Sequence, residues 1–270
     1  MRLTPIDAVS ARIAGQANRC PHRKGIGTTV DGGLAEQLAT PDTVHRLPDD
    51  LALTAGALTE PLAIAVHAVI ERSPSLAGEV VVVVGPGAVG MLCAQVARAV
   101  GATVVLVGRS RHQARLNRAR AMGIDHVVAS DQVDVATYVA DLTGGYGAHS
   151  VFECSGAASA WEGSADYLRK GGRLVLVAFY HDRPAVDVTQ LIEREYELVG
   201  SRGKAPSSFR IALRLMASGQ VDLDSVIGEV LPVADWEHAL ELMADGVKVV
   251  LTMGPREAQP VRGLATAVAG

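Results

Sequence analysis

The feature that most constrains the fold of this chain is a run of five valines that leads directly into a glycine-rich turn. Val80–Val84 is too short for a helix and apolar on both faces, which is typical of a central strand in a parallel sheet. A helix-length segment, 91–100, follows the turn, and a second apolar run, 103–107, follows that segment. This order predicts a pyrophosphate-binding turn of the G-x-G-x-x-G type, made of Gly85, Pro86, Gly87, Ala88, Val89 and Gly90.

Each glycine of this turn has a separate task in a dinucleotide site. Gly85 permits the tight turn, Gly87 lets the backbone approach the pyrophosphate, and Gly90 allows the helix to pack closely on the strand. The first helical turn then offers unpaired amides and the positive end of its dipole to the phosphates. The alternative is a glycine-rich turn without a ligand, since glycines cluster in many strand–helix connections.

Strand-like and helix-like segments alternate through the middle of the chain. Such alternation produces right-handed βαβ crossovers, so we expect an α/β fold with a doubly wound parallel sheet of the Rossmann type. The predicted strands are 80–84, 103–107, 126–128, 150–154, 173–177 and 197–199, and the predicted helices are 91–100, 111–122, 133–142, 158–168 and 207–217.

The end of the second predicted strand decides which dinucleotide fits. An acidic residue about 20 positions after the glycine turn would bond the adenosine ribose hydroxyls and select NAD. This chain has Gly108, Arg109 and Ser110 there, and Arg115 belongs to the same basic cluster. Glycine leaves space for a 2′-phosphate, arginine supplies charge and serine donates a hydrogen bond. The sequence therefore favours NADP(H), with NAD(H) as second choice; the alternative is that the arginines form a solvated helix face.

Composition and charge limit the class of protein. Apolar residues make up 49% and charged residues 20% of the chain, which is an ordinary globular balance. A net charge of −4 argues against a nucleic-acid partner, which needs a concentrated basic face. No apolar run reaches the roughly 18 residues that cross a bilayer, and the N-terminus lacks a secretory apolar core. We therefore expect no membrane partner, a cytoplasmic location, and reduced thiols at Cys20, Cys93 and Cys154.

Several motifs outside the glycine turn are similar to those of one known family. Residues 15–20, G-Q-A-N-R-C, resemble the G-x-x-N-x-C that closes the family's structural-zinc lobe. Residues 31–36, D-G-G-L-A-E, and 59–68, T-E-P-L-A-I-A-V-H-A, resemble its D-G-G-x-A-E and E-P-L-A-x-A-x-H-A motifs. With K-V-V-L at 248–251, the chain resembles, from about residue 12 to 254, the zinc-type alcohol and polyol branch of the medium-chain dehydrogenase/reductase superfamily, which includes sorbitol and threonine dehydrogenases.

This resemblance implies an oxidoreductase that transfers hydride between the dinucleotide and a secondary alcohol or polyol, or its ketone. In the family, a bound zinc polarises the substrate oxygen so that its proton leaves. The resemblance places Ser155, Gly156 and Ala178 against the nicotinamide and its ribose. We expect His67, on an apolar helix face, to be a core or interface histidine, and Cys154 to have a packing role.

The family's zinc ligands have no counterpart in this chain. The first cysteine ligand and the G-H-E motif would precede Met1, and Glu60 alone matches a position that can serve as a ligand, as a remnant of the zinc site. A catalytic zinc needs three protein ligands, so we expect no bound metal, although the family implies zinc. The structural-zinc cysteines would fall at Ile6, Val9 and Arg12, so that site is predicted to be absent too.

On this interpretation the chain divides into four segments. Residues 1–60 are a remnant of the N-terminal catalytic domain, 61–220 form the dinucleotide-binding domain, and 221–254 return to the catalytic domain around an amphipathic helix. The two chain ends would thus form a partial barrel-like (GroES-like) domain. Residues 255–270 lack periodicity and predict a mobile tail.

Three functional hypotheses remain open. The first is a family oxidoreductase whose N-terminal portion is missing from this chain. The second is a zinc-independent NADPH reductase in which a protein group or water supplies the proton, and the third is a non-catalytic dinucleotide-binding subunit. We expect weak or no activity from this chain alone, and a small-molecule substrate. Because the missing portion would leave apolar surface uncovered, we also expect a homo-oligomer, either a dimer or a tetramer.

Overall fold

Six parallel strands form the central sheet of the protein. The structure is a computed structural model that describes residues 15, 17–35, 37–38, 44–73, 75–244 and 246–253. The strands are β1 Val80–Val84, β2 Thr103–Gly108, β3 His126–Ala129, β4 Ala148–Glu153, β5 Leu168–Leu176 and β6 Glu197–Gly200. They lie in the order β3, β2, β1, β4, β5, β6, and every neighbouring pair is parallel. This order confirms the predicted doubly wound Rossmann sheet.

Helices connect the strands and cover both faces of the sheet. They are α1 Leu53–Gly56, α2 Thr59–Val66, α3 Ala88–Ala99, α4 Gln113–Ala121, α5 Val135–Leu142, α6 Ala158–Ser164, α7 Val188–Arg194, α8 Pro206–Ala217 and α9 Trp236–Ala244. The helix predicted to start at residue 111 instead begins as a 3-10 turn, Ser110–His112, and α7 was not predicted from the sequence. None of the helices in the described part of the chain is long and apolar enough to cross a membrane.

The core is divided between the two faces of the sheet because the side chains of a strand alternate. Val81 and Val83 pack in one cluster with apolar residues of α2, α3 and α8, such as Leu92 of α3. Val82 and Val84 pack in the other cluster with residues of α5 and α6, such as Trp161. All the valines of β1 except the first are buried, which explains why this strand is apolar throughout.

The described residues of the flanking segments form only short elements. In the described residues between 17 and 52, Ile26 and Val30 form an isolated β-bridge. Near the C-terminus, β7 Glu229–Pro232 and β8 Val249–Thr252 form a two-stranded parallel sheet beside α9. The partial barrel therefore stays a prediction, and the predicted mobile tail lies outside the described residues.

The first residues after α8 belong to the Rossmann core. Val221, Leu223 and Val226 are buried in the same cluster as α2 and α3. The Gln95 side chain, fully buried in α3, accepts a hydrogen bond from the Asp222 amide and donates one to the Asp222 carbonyl at 3.0 Å. This segment is thus attached to the dinucleotide-binding domain by both apolar and polar contacts.

Candidate dinucleotide-binding site

The glycine-rich turn connects β1 to α3 and lies against the loop that follows β4. Gly85 has a φ of +106°, which favours glycine, and a Cβ there would lie 2.9 Å from the Ser155 backbone. A Cβ on Gly90, in the first turn of α3, would lie 1.9 Å from the Gly85 carbonyl oxygen. A Cβ on Gly87 would meet no described atom within 4 Å. Backbone atoms therefore fill the space next to Gly85 and Gly90, whereas the space next to Gly87, the N-cap of α3, is open.

A cleft of about 410 Å³ opens in front of this turn. It lies at the carboxyl edge of the sheet, where the strand order reverses and α/β sheets bind their ligands. Ala88, Val89 and Gly90 form the first turn of α3 behind the cleft. Of the residues predicted to bind the cofactor, those that line the cleft are Gly85, Pro86, Gly87, Gly108, Arg109, Arg115 and Ser155. Those that do not line it are Ala88, Val89, Gly90, Ser110, Gly156 and Ala178.

The loop after β2 brings positive charge to one end of the cleft. Arg109, Arg111, His112 and Arg115 line this end. The Arg109 guanidinium donates a hydrogen bond to Ser159 Oγ at 3.4 Å, and Arg111 Nε donates to His112 Nε2 at 3.2 Å. Burial, followed by the charges of the three arginines, lowers the pKa of His112. Three cationic groups beside a neutral imidazole make an environment that suits a phosphate.

Gly108 lines the cleft and also has a packing role. A Cβ at this position would lie 2.8 Å from Leu116 Cδ2 and 2.9 Å from Pro86 Cγ. The space that a side chain at residue 108 would need is therefore filled by α4 and by the phosphate turn, and the place of Gly108 beside a 2′-phosphate stays a prediction. A glycine here allows those two elements to close over the end of β2.

Ser110 is engaged by an acidic residue that the sequence analysis did not identify. Its amide donates to Asp131 Oδ1 at 2.8 Å and its hydroxyl donates to Oδ2. Both bonds lower the pKa of Asp131, and the bond from the hydroxyl has the larger effect. Asp131 follows β3, which pairs with β2, and an acidic residue just after the neighbouring strand is the signal that could have identified it. In this structure Ser110 thus donates to Asp131, and its predicted contact with the cofactor stays a prediction.

Arg115 packs against the C-terminal segment. A Cβ on Gly246, in the turn between α9 and β8, would lie 2.3 Å from Arg115 Nη2. Gly246 has a φ of +75°, so the turn itself favours glycine as well. The contact brings the segment after residue 221 to the positively charged end of the cleft.

The loop after β4 lines the cleft through Ser155 and packs against the loop after β5. Gly156 has a φ of +70°, and a Cβ on it would lie 2.4 Å from the Phe179 carbonyl oxygen and 3.4 Å from Ala178 Cβ. The residues that the resemblance assigned to the nicotinamide half are therefore neighbours. In the same loop the pKa of Cys154 is raised, mainly by a hydrogen bond with Cys93 and to a smaller extent by burial. A protonated thiol is a poor nucleophile, which agrees with the predicted packing role of Cys154.

Glu60 forms an ion pair with Lys204, which lies in the loop after β6. Burial, followed by the charge of Arg23, lowers the pKa of Lys204. Among the residues that the structure describes, no group of three His, Cys, Asp or Glu side chains could hold a metal ion. The described residues therefore do not fit a zinc site. They supply one carboxylate at a ligand position, that of Glu60, and this carboxylate is already paired with the Lys204 ammonium. The predicted structural-zinc positions, which lie outside the described residues, are Ile6, Val9 and Arg12.

His67 is a buried, satisfied histidine, as predicted. It is 6% exposed and lies where α2 continues into a π-helical turn. Its Nδ1 lies 2.5 Å from Glu71 Oε2, and its Nε2 lies 3.4 Å from Asn18 Nδ2. The Glu71 carboxylate also accepts hydrogen bonds from two serines of α8. This network joins the N-terminal segment, α2 and α8, away from the cleft.

Comparison with known proteins places the chain in a family. The sequence profile of the zinc-binding dehydrogenases matches residues 88–218. D-arabitol-phosphate dehydrogenase of Enterococcus avium is 35% identical over 246 residues, which cover 90% of this chain and 70% of the relative. Sorbitol dehydrogenase of Halalkalibacterium halodurans is 37% identical over 244 residues, which cover 88% of this chain and 71% of the relative.

A solved structure supports the same assignment. A zinc-binding dehydrogenase of Sinorhizobium meliloti 1021, bound to NADP, is 28% identical and superposes with a TM-score of 0.79. The superposition covers 89% of this chain and 72% of that protein. The phosphate turn, the strand order and these relatives all indicate the same family. The chain therefore belongs to the zinc-binding dehydrogenases, oxidoreductases in the alcohol and polyol branch of the medium-chain dehydrogenase/reductase superfamily.

Proposed function

We propose that this chain binds NADP(H) in the cleft and takes part in hydride transfer between that cofactor and a secondary alcohol or polyol, or its ketone. The observation that carries the proposal is an open phosphate turn and an arginine cluster in one cleft. The pyrophosphate would lie in front of Gly87, on the first amides of α3. The 2′-phosphate would lie against Arg109, Arg111 and Arg115, which can form charge-assisted hydrogen bonds with it.

The relatives support the cofactor and the substrate class. Those named for D-arabitol phosphate and sorbitol favour a polyol or its phosphate as substrate. The Sinorhizobium protein bound to NADP favours that cofactor. NAD(H) remains the second choice because the Asp131 carboxylate, which follows β3, bonds to Ser110 on the loop after β2, where an acidic group can accept hydrogen bonds from ribose hydroxyls.

Calorimetric titration of the purified chain with NADPH and with NADH tests the cofactor proposal. We expect NADPH to bind at least about tenfold more tightly, since a hydrogen bond to a charged group contributes roughly 1.5–3 kcal/mol. Equal affinities, or a preference for NADH, would contradict the choice of cofactor. If neither dinucleotide binds, the whole proposal fails.

A second candidate, a zinc-independent NADPH reductase, is favoured by the burial of Lys204 beside Arg23. Because the pKa of Lys204 is lowered, its ammonium group releases a proton more readily than an ordinary lysine. Zinc, when bound in the family, supplies Lewis-acid polarisation, for which the described residues offer no ligand set. Reduction of a ketone that persists after chelation and is lost in Lys204→Met would favour this candidate. Activity that appears only on addition of zinc would contradict it.

We further propose that the chain associates at least as a dimer through the edge of the sheet. β6 is an edge strand, and its Leu198 is 43% exposed. In the neighbouring α7, Val188 is 59% and Ile192 is 72% exposed. An open strand edge beside apolar side chains favours association. Light scattering should give at least twice the mass of one chain, and the mass of a single chain would contradict this proposal.

A further inference from the structure

A buried carboxylate that has no cationic partner among the described residues joins the loop after β4, which lines the cleft, to the loop after β5. Glu153, the last residue of β4, has 0% relative exposure. Its Oε1 accepts hydrogen bonds from the Ser155 amide at 2.8 Å and from the Ser155 hydroxyl, and its Oε2 accepts one from the Tyr180 hydroxyl at 2.5 Å. The Gly156 amide donates to both oxygens at 3.2 Å.

Hydrogen bonds take the place of a counter-ion at this carboxylate. In the part of the chain that the structure describes, no Lys, Arg or His forms an ion pair with Glu153. A buried carboxylate is unfavourable unless its oxygens are satisfied, and here every contact comes from a donor. Because the donors belong to the loops around the cleft, the carboxylate organises those loops.

The network connects the loop after β4 to the loop after β5. The Glu153 carbonyl accepts from the Val177 amide at 2.9 Å and from the Ala178 amide at 3.2 Å, while its side chain reaches Tyr180. Burial, followed by the bond to Glu153, raises the pKa of Tyr180, so the phenol keeps its proton and remains a donor. One residue therefore sets the spacing of both loops.

The network also fixes the direction of the Ser155 hydroxyl. This hydroxyl donates to Glu153 and accepts from the Ala157 amide at 3.2 Å. A hydroxyl has one donor site and two acceptor sites, so one acceptor site is left. Ser155 lines the cleft. The remaining acceptor site suits an N–H group of a ligand, such as that of a carboxamide.

We propose that Glu153 is a positioning residue for the nicotinamide half of the cofactor and acts through Ser155 and Gly156. The proposal rests on the proposed function, because it takes the cleft to hold a nicotinamide dinucleotide. Glu153 is fully buried and holds the Ser155 hydroxyl as an acceptor toward the cleft. It also keeps the Gly156 backbone against Phe179. Its influence should be confined to the half of the cofactor that these two loops contact.

Two ligands that differ in the nicotinamide ring test this proposal, namely NADPH and 2′-phospho-ADP-ribose. 2′-Phospho-ADP-ribose keeps the adenosine, the 2′-phosphate and the pyrophosphate of NADPH but lacks the nicotinamide. In Glu153→Gln the side chain keeps its size, but its NH₂ group is a donor and cannot accept the hydrogen bonds that Ser155 or Tyr180 donates. We expect the affinity for NADPH to fall about tenfold and that for 2′-phospho-ADP-ribose to change less than about twofold. The change in reduced-nicotinamide fluorescence on binding should also diminish.

Ser155→Ala provides a second variant that keeps the buried carboxylate and removes the Ser155 hydroxyl, with both its acceptor site toward the cleft and its bond to Glu153. It should show the same selective loss of NADPH affinity, and it decides the question if Glu153→Gln does not fold. An equal loss for both ligands, or an unchanged affinity for NADPH in both variants, would overturn the inference. If the unmodified chain binds neither NADPH nor NADH, the proposed function fails as well, and the two failures are thereby distinguished.

Discussion

The two ends of the cleft differ in how their polar groups are held. At the proposed adenosine end, Arg109, Arg111 and Asp131 are exposed, and their charges lie on loops and helix starts. At the proposed nicotinamide end, Glu153 is fully buried and bonded to amides and hydroxyls of two loops. The first end has charges exposed to water, whereas the second has a carboxylate whose hydrogen bonds are satisfied inside the protein.

This difference determines what each end can do. Exposed charges are screened by salt and respond to pH, and single substitutions alter them without disturbing the fold. Buried hydrogen bonds are insensitive to salt, but removing one partner leaves a desolvated group unpaired. We therefore expect the adenosine end to set the choice between dinucleotides and the nicotinamide end to set the orientation of the reacting ring.

The largest effects should come from the phosphate turn, which lies between the two ends. In Gly87→Ala the methyl group points into open space, so the thermal midpoint should stay unchanged while affinity for both dinucleotides falls roughly hundredfold through overlap with the pyrophosphate. In the matched variant Gly90→Ala the methyl group would overlap the Gly85 carbonyl oxygen. That variant should lose about 1–3 kcal/mol of stability as well. Calorimetry and thermal unfolding measure both quantities, and full binding by Gly87→Ala would disprove the assigned turn.

The next largest effect concerns the arginines of the adenosine end. Arg109→Ala should weaken NADPH binding about tenfold and leave NADH binding nearly unchanged, since only the 2′-phosphate ligand loses a charged partner. Arg118→Ala, on α4 and not lining the cleft, is the control. Raising the salt concentration should weaken NADPH binding more in the unmodified chain than in Arg109→Ala. Equal losses for NADPH and NADH would refute the assignment of a 2′-phosphate site.

A smaller effect in the opposite direction is expected at Asp131. Its carboxylate occupies the amide and hydroxyl of Ser110 and repels a phosphate. Asp131→Asn removes the charge and should raise NADPH affinity about threefold, the scale of an exposed charge interaction. Affinity for NADH should stay equal or fall. Parallel titrations with both dinucleotides provide the measurement, and tighter NADH binding in this variant would run against the argument.

The smallest expected effect is a pH dependence carried by His112. Burial and the charges of Arg115, Arg111 and Arg109 lower its pKa below the ordinary 6.5, so the imidazole is neutral at pH 8. A bound 2′-phosphate raises that pKa, and binding then takes up a proton. NADPH affinity should therefore increase by about twofold between pH 8 and pH 6.5, and NADH affinity should not. The change of NADPH affinity with pH should be smaller in His112→Gln. An unchanged pH dependence in that variant would show that another group carries it.

Much of the fold could be predicted because its signals are local. The valine run of β1, the alternation of strands and helices, and the glycine turn depend on residues adjacent in sequence. The start of α4 and the existence of α7 were missed, since both segments are polar or weakly periodic. The packing role of Gly108 was missed because its neighbours, Pro86 and Leu116, come from two other elements.

The amino-acid sequence by itself determined the Rossmann order of elements, the phosphate turn and the basic cluster, since each of these depends on short-range preferences of the backbone and side chains. The tertiary structure decided which polar groups meet. Asp131 bonds to Ser110 across 21 residues, Tyr180 to Glu153 across 27, and Lys204 to Glu60 across 144. Such pairs form only when the sheet sets its strands side by side and brings their carboxyl ends to one edge, so no local pattern identifies them.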